Sequence, residues 1–350
     1  MNNRVTMKKR NYIWLVLLVA GTVLVLLRHN NVISWGDSAA ATYRNEKGLI
    51  FGTMYSITYE HNKSLRIEID KELEHFDASL SMFNDSSIIS RINRNEDITV
   101  DSLFSKVFRQ AMRISEATNG CFDITVAPLV NAWGFGFTEN ISPTNTKIDS
   151  LLHIVGWQKV QLTNEGKVIK EDPRIMLDCS AIAKGYAVDV IAALLKSKGV
   201  QNYMVDIGGE VDVAGVNPSG GMWRIGINKP EDDPLSRNQS LQSILEVSGV
   251  GIATSGNYRN FYYKDGMKYA HTIDPKTGYP VQHSILSSTV IANDCMTADA
   301  YSTAFMVMGL EKAKVLVENH PEIEAYFIFS DEKGDFQTYM TDGMKKYVTD

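Results

Sequence analysis

Hydrophobic positions change period several times along this chain, and each change predicts an element. Leu65, Ile69, Leu73, Phe76 and Leu80 recur at steps of three and four with charges between them, which predicts an amphipathic helix. Leu103, Val107, Ala111 and Ile114 predict a second over 101–118, stopped by Asn119 and Gly120. The stretch Leu177–Asp189, LDCSAIAKGYAVD, begins apolar, turns through small residues and settles into helical spacing with Val188, Ile191, Leu194 and Leu195 on one side. It reads as a strand, a tight turn and a helix that ends at Gly199. Alternation predicts a first strand over Leu49–Tyr59, bent at Gly52 and Thr53, and two strands in YMVDIGGEVDVAG joined at Gly208 and Gly209. MWRIGI, ILEVSGVGIATSG and SSTVIAN supply further strands, whereas SMFNDSSIISRIN reads as a polar loop. Helices and strands mix without a βαβ repeat, so the fold class is α+β, in one domain over 48–350.

Composition narrows the function. The 350 residues are 44% hydrophobic, enough for a substantial core, and the formal net charge of −6 argues against a nucleic-acid partner. Cys121, Cys179 and Cys295 are odd in number and lack CxxC spacing, so neither a disulfide framework nor a zinc knuckle is expected, and each reads as a buried thiol. Arg4, Lys8, Lys9 and Arg10 precede an uncharged run from Asn11 to Leu27. Segment 1–10 then reads as a cytoplasmic basic flank, 11–28 as a membrane anchor and 29–47 as an aperiodic tether, with the remaining chain outside the cytoplasm. A cleaved signal peptide is the rival reading, but its best site, around Ser38 to Ala41, lies far beyond the apolar run. No cysteine follows the run to carry a lipid.

Candidate chemistry gathers at turns. In LDCSAIAKGYAVD, Asp178 and Ser180 can accept from the N–H groups that open a helix, small residues admit a close approach, and Lys184 adds a cation. Such a corner suits an anion or phosphate, or is simply a capped and closely packed helix. Asp123 in GCFDITVAPLVNAWGFG lies among apolar residues and must be paired, solvated or bound to something if buried. The run Trp133 to Phe137 can flank a planar ring or fill a core. HTIDPKTGYP places His271 and a carboxylate at a turn forced by Pro275 and Gly278. In MTADAYSTAF, Thr297 as N-cap puts Asp299 in the first helical turn and Thr303 one turn on. Their carboxylate and hydroxyl are hard donors suited to Mg²⁺, with the Ala181 carbonyl as a third, although an Asp near a helix start also serves the helix dipole.

The ordered series GTMYSI, DSSIISRIN, GCFDITVAPL, LDCSAIAKGYAVD, VDIGGEV, ATSGNYRN, HTIDPKTGYP and TADAYSTAFMVMG resembles the FAD:protein FMN transferases, the ApbE family, over Gly52 to Gly309. The resemblance implies a magnesium site on the Ala181 carbonyl, Asp299 and Thr303. It implies FAD contacts at Met54, Phe83, Cys121, Phe122, Asp123, Asp178, Lys184 and Ile273; at Phe83 many members carry Tyr, so stacking survives here without a hydroxyl. The implied reaction is Mg²⁺-dependent transfer of FMN from FAD to a Thr or Ser hydroxyl of a target flavoprotein, releasing AMP, with His271 as candidate base or as a residue that only fixes its turn. The implied acceptors are subunits of membrane electron-transfer complexes, and the implied location is the inner membrane, facing the periplasmic or extracytoplasmic side. A Mg²⁺-dependent FAD pyrophosphatase, or a membrane-tethered flavin-binding protein without catalysis, are the alternatives.

Overall fold

The computed structural model describes residues 42–136, 143–230, 240–257, 261–264 and 267–349. In chain order, β1 (Thr42–Ile50) and β2 (Thr53–His61) are followed by α1 (Arg66–Leu80), α2 (Ile88–Asn93), α3 (Ser102–Ala117), α4 (Ala127–Ala132) and α5 (Asn145–Leu152). The short strands β3 (Val160–Leu162) and β4 (Val168–Lys170) precede α6 (Ser180–Ser197), β5 (Tyr203–Ile207), β6 (Glu210–Ala214), β7 (Trp223–Asn228), β8 (Leu241–Val247) and β9 (Val250–Gly256). Then come β10 (Phe261–Lys264), β11 (Met267–Ala270), β12 (Ile285–Ala292), α7 (Cys295–Met308), α8 (Leu310–Glu318), β13 (Ile323–Ser330), β14 (Phe336–Met340) and β15 (Val348–Thr349). Residues from Tyr43 onward form one compact unit.

The main sheet has eight strands in the order β1-β2-β5-β6-β9-β12-β13-β14. Strand alternation gives its two faces different neighbours. Val205, Ala253, Val290 and Phe327 pack with the helices, whereas Val211, Ile252, Ile291 and Tyr326 pack with Trp223, Ile227, Leu245 and Val247 of the smaller sheet β15-β8-β7. The α+β class is thus realised as helices on one face of a largely antiparallel sheet and a small sheet on the other. α6 and α7 lie against each other and against the strands that carry the site.

Several expected boundaries move. The strand expected over Leu49–Tyr59 is two strands, because Phe51 (φ 52°) and Gly52 (φ 72°) turn the chain back in the left-handed region. Residues 42–47, expected as tether, belong to β1; as a half-exposed edge strand its charged residues hide the alternation. The polar loop after α1 contains α2, which Ser87 caps by accepting from the Ser90 N–H. The apolar approach Ile175–Cys179 is irregular rather than a strand. The expected anchor, 11–28, and residues 29–41 lie outside the described residues, among which no helix is long and apolar enough to cross a membrane.

Candidate active site

The corner that starts α6 is fastened on both sides. The Asp178 N–H donates to the Ile124 carbonyl at 2.7 Å, and Asp178 Oδ1 accepts from the Ser180 N–H at 2.8 Å. This closes the bend into the helix and joins it to the segment around Asp123. Cys179 occupies the cap position without a capping side chain. Asp123 is paired rather than bare: Oδ1 accepts from the Thr125 N–H and hydroxyl, and Oδ2 from the Trp157 N–H at 2.8 Å. Burial raises its carboxyl against those donors.

α7 begins two residues before the expected cap. Asp294, not Thr297, is the N-cap, its Oδ1 accepting from the Thr297 N–H, while Asp189 at the end of LDCSAIAKGYAVD accepts from the Cys295 and Met296 N–H groups at 2.7 and 2.9 Å. Asp189 thereby ties α6 to the start of α7 and satisfies two of the N–H groups a helix leaves open. Asp299 consequently lies in the second turn, 2% exposed, with Thr303 one turn further on the same face. A Cβ at Gly185 would sit 2.3 Å from the Cys295 carbonyl oxygen, so only glycine lets the two helices come this close.

That close approach assembles the charged centre. The Gly185 N–H, which in an α-helix faces the Ala181 carbonyl one turn back, donates to Asp299 Oδ2 at 2.9 Å. Lys184 Nζ donates to Glu210 Oε1 at 2.8 Å and lies 3.8 Å from Asp299 Oδ1. Burial works against the Lys184 ammonium, but Asp299 and Glu210 outweigh it and hold it charged. Burial raises both carboxyls, against the pull of Lys184. Thr303 Oγ1 shares a 2.9 Å hydrogen bond with Ser255 Oγ, which also accepts from the Ser302 hydroxyl at 3.2 Å.

The other wall is the HTIDPKTGYP turn. Ile273 bridges to Pro280, Gly278 N–H donates to the Asp274 carbonyl, and Trp133 Nε1 donates to the Gly278 carbonyl at 2.8 Å. Trp133 is therefore a buried brace for the turn, while Phe135 meets the His271 ring edge-on and Phe137 lies outside the described residues. The Thr272 hydroxyl donates to Asn257 Oδ1 at 2.7 Å, which fastens this turn to the end of β9.

Together these elements enclose a cavity of about 460 Å³. Its lining includes Cys121, Phe122, Asp123, Asp178, Ala181, Lys184, His271, Ile273, Asp299 and Thr303, each expected at the site from the sequence. Cys121 is half-buried at this wall, unlike the fully buried Cys179 and Cys295. Met54 and Phe83 do not line the cavity: both are exposed, at 66% and 70%, although the Met54 carbonyl accepts from the N–H of Gly208, a lining residue. Gly185 is one of the small residues expected to admit a close approach and Ser255 lies in the ATSGNYRN motif, whereas Glu210 was not singled out. The signal for Glu210 is a carboxylate placed among apolar residues just after the Gly208–Gly209 turn.

The donor set fits a hard divalent cation. Asp299 Oδ1 and Thr303 Oγ1 project from one helical face into the same cavity that Ala181 lines, and substrate oxygens or waters can complete the six positions Mg²⁺ prefers. Glu210 Oε2, buried with no hydrogen-bond partner among the described residues, is a further polar atom suited to a ligand. Among the described residues no group of three or more His, Cys, Asp and Glu side chains is arranged to hold a metal.

Residues 51–327 match the ApbE family. A protein of Vibrio cholerae named FAD:protein FMN transferase is 38% identical over 314 residues, which cover 86% of this chain and 92% of the relative. Among solved structures, the flavin transferase ApbE from Vibrio cholerae superposes with a TM-score of 0.78 at 35% identity, covering 88% of this chain and 99% of that one. The apo form of the Pseudomonas stutzeri flavinyl transferase ApbE does so with a TM-score of 0.78 at 31% identity, covering 89% and 98%. This chain belongs to the ApbE family.

Proposed function

We propose that this protein is a FAD:protein FMN transferase that moves the FMN part of FAD onto a Thr or Ser hydroxyl of an acceptor flavoprotein and releases AMP. The observation that carries the reading is the single cavity in which Asp299, Thr303 and the Ala181 segment meet Lys184 and His271. Curated relatives bearing that activity's name match most of the chain.

Mg²⁺ held by Asp299, Thr303 and the Ala181 carbonyl would neutralise pyrophosphate charge and make the phosphorus on the riboflavin side more electrophilic. Lys184 places a permanent positive charge beside that position, and the start of α6 adds the positive end of its dipole. His271 would accept the acceptor's hydroxyl proton as the oxygen–phosphorus bond forms and the bridging phosphorus–oxygen bond breaks. AMP leaves with that electron pair. A positioned base contributes about 10²–10⁴-fold. Phe122 and Ile273 give apolar walls for the nucleotide, Asp123 and Asp178 hold the corner to which they belong, and the exposed Met54 and Phe83 offer apolar surface to the flavin ring. The uncharged run at 11–27 supports attachment to the inner membrane with this domain on the extracytoplasmic side, beside acceptors in membrane electron-transfer complexes.

The test is to incubate the protein with FAD, Mg²⁺ and a flavoprotein subunit from such a complex, then weigh the subunit. A gain equal to FMN less one water, abolished by EDTA, is the expected result. FMN and AMP released with the subunit unlabelled would instead make the protein a pyrophosphatase.

A further inference from the structure

We infer that Glu210 is a positioning residue that holds the Lys184 ammonium away from Asp299 and so keeps one carboxylate oxygen available to a divalent cation. The inference rests on the cation-binding reading of Asp299 given above and goes beyond it by assigning a role to a residue outside the ligand set.

Asp299 has two oxygens with different fates. Oδ2 accepts from the Gly185 N–H at 2.9 Å, which leaves Oδ1 as the oxygen that accepts from no backbone donor and is the readier one for a metal. Lys184 Nζ stands 3.8 Å from that same oxygen, the lysine side chain being 31% exposed and the Asp299 side chain only 3%. An ammonium and a hard cation compete for one carboxylate oxygen, and poor screening makes the competition strong. What restrains Lys184 is Glu210 Oε1 at 2.8 Å, on a side chain only 7% exposed. Glu210 is rigidly placed, at the first position of β6 after the Gly208–Gly209 turn, in register opposite Ile207. The lysine therefore sits nearer to the carboxylate that is not needed for the metal than to the one that is.

Neutralising Glu210 removes this restraint. Lys184 then closes from 3.8 Å to hydrogen-bond distance of Asp299, and at the effective dielectric of a protein interior that extra attraction weakens cation binding about tenfold. Removing the lysine as well removes the competitor, so the second substitution should repair the first. A purely structural role for Glu210 would not produce that repair.

The test uses Mn²⁺ as the probe, titrated into the full-length protein without FAD and followed by electron paramagnetic resonance, with thermal melts to confirm folding. Glu210→Gln should bind Mn²⁺ about tenfold more weakly than wild type, and Glu210→Gln with Lys184→Met should return to within about threefold of it. Lys184→Met alone should bind at least as tightly as wild type, which keeps the idea testable if Glu210→Gln fails to fold. Unchanged binding in Glu210→Gln, no repair by the second substitution, or weaker binding in Lys184→Met alone would each overturn the inference while leaving the cation site standing. Wild-type protein that binds no Mn²⁺ would overturn the cation site itself, and this inference with it.

Discussion

Replacing Gly185 by Ala should damage stability and chemistry together, because one atom has nowhere to go. The added Cβ would lie 2.3 Å from the Cys295 carbonyl oxygen and 2.7 Å from Asp299 Cβ, and the first of these is backbone that no rotamer change can move. Parting α6 from α7 to make room costs about 1–3 kcal/mol as overpacking. It also stretches the hydrogen bond from the Gly185 N–H to the Asp299 carboxylate, a charged partner whose loss costs about 1.5–3 kcal/mol. The better helix propensity of Ala returns up to about 1 kcal/mol, leaving a net loss of about 1.5–6 kcal/mol. At roughly 2–4 °C per kcal/mol for a domain of this size, Tm should fall by about 3–24 °C. The Asp299 carboxylate, proposed as the cation ligand, moves with α7, so FMN labelling should fall even at temperatures where the variant is folded. Calorimetry and acceptor labelling at 20–25 °C read the two effects separately. Gly221→Ala, where the nearest atom to a new Cβ is a side-chain amide at 3.7 Å, is the control and should change stability by less than about 0.5 kcal/mol. A Gly185→Ala protein with wild-type Tm and labelling would refute the close-packed account of this site.

Three more outcomes follow from the same geometry. His271→Ala should slow labelling by about 10²–10⁴-fold while FAD still binds, measured by flavin fluorescence; a full transfer rate would remove His271 from the chemistry. Asp299→Ala should abolish Mg²⁺-dependent labelling, and excess Mg²⁺ should not restore it, since the other carboxylate of the cavity, Glu210, is engaged by Lys184; recovery at high Mg²⁺ would show that Asp299 is dispensable. Burial pushes the Asp189 carboxyl up to about 7. A folded value above the unfolded one means that its contribution to stability is fully present below about pH 4 and is lost as pH rises through about 7. Asp189→Asn should therefore flatten the decline in urea midpoint between pH 4.5 and 7.5, and parallel wild-type and variant curves would count against the assignment.

The features legible in the sequence are those that local periodicity determines. Thr303 follows Asp299 by one helical turn whatever the surroundings, and the double glycine at 208–209 marks a hairpin by itself, so both survive into the structure. What was not legible depends on partners distant in the chain. Asp294 and Thr297 are both capping types, and the helix starts at Cys295 because Asp189, more than a hundred residues earlier, accepts from its first N–H groups. Glu210 stands out only as a carboxylate after a glycine turn, and its role shows once α6 brings Lys184 over it. The strand β1 escapes notice because an edge needs little apolar character to pair.

The start of α7 is pinched between two backbones: a Cβ at Gly251 would lie 2.3 Å from the Cys295 nitrogen, just as one at Gly185 would meet the Cys295 carbonyl oxygen. The end of the molecule that carries Asp299 is therefore gripped like a rod in a vice, with no slack for a sliding or tilting motion. Admitting something as large as another folded protein must then fall to the rim, where the His271 turn is held from outside by side-chain hydrogen bonds, Thr272 to Asn257 and Trp133 to Gly278, rather than by packed backbone. Divergence in partner choice among relatives should accordingly accumulate around that mouth, while the two helices that grip the charge keep their small residues.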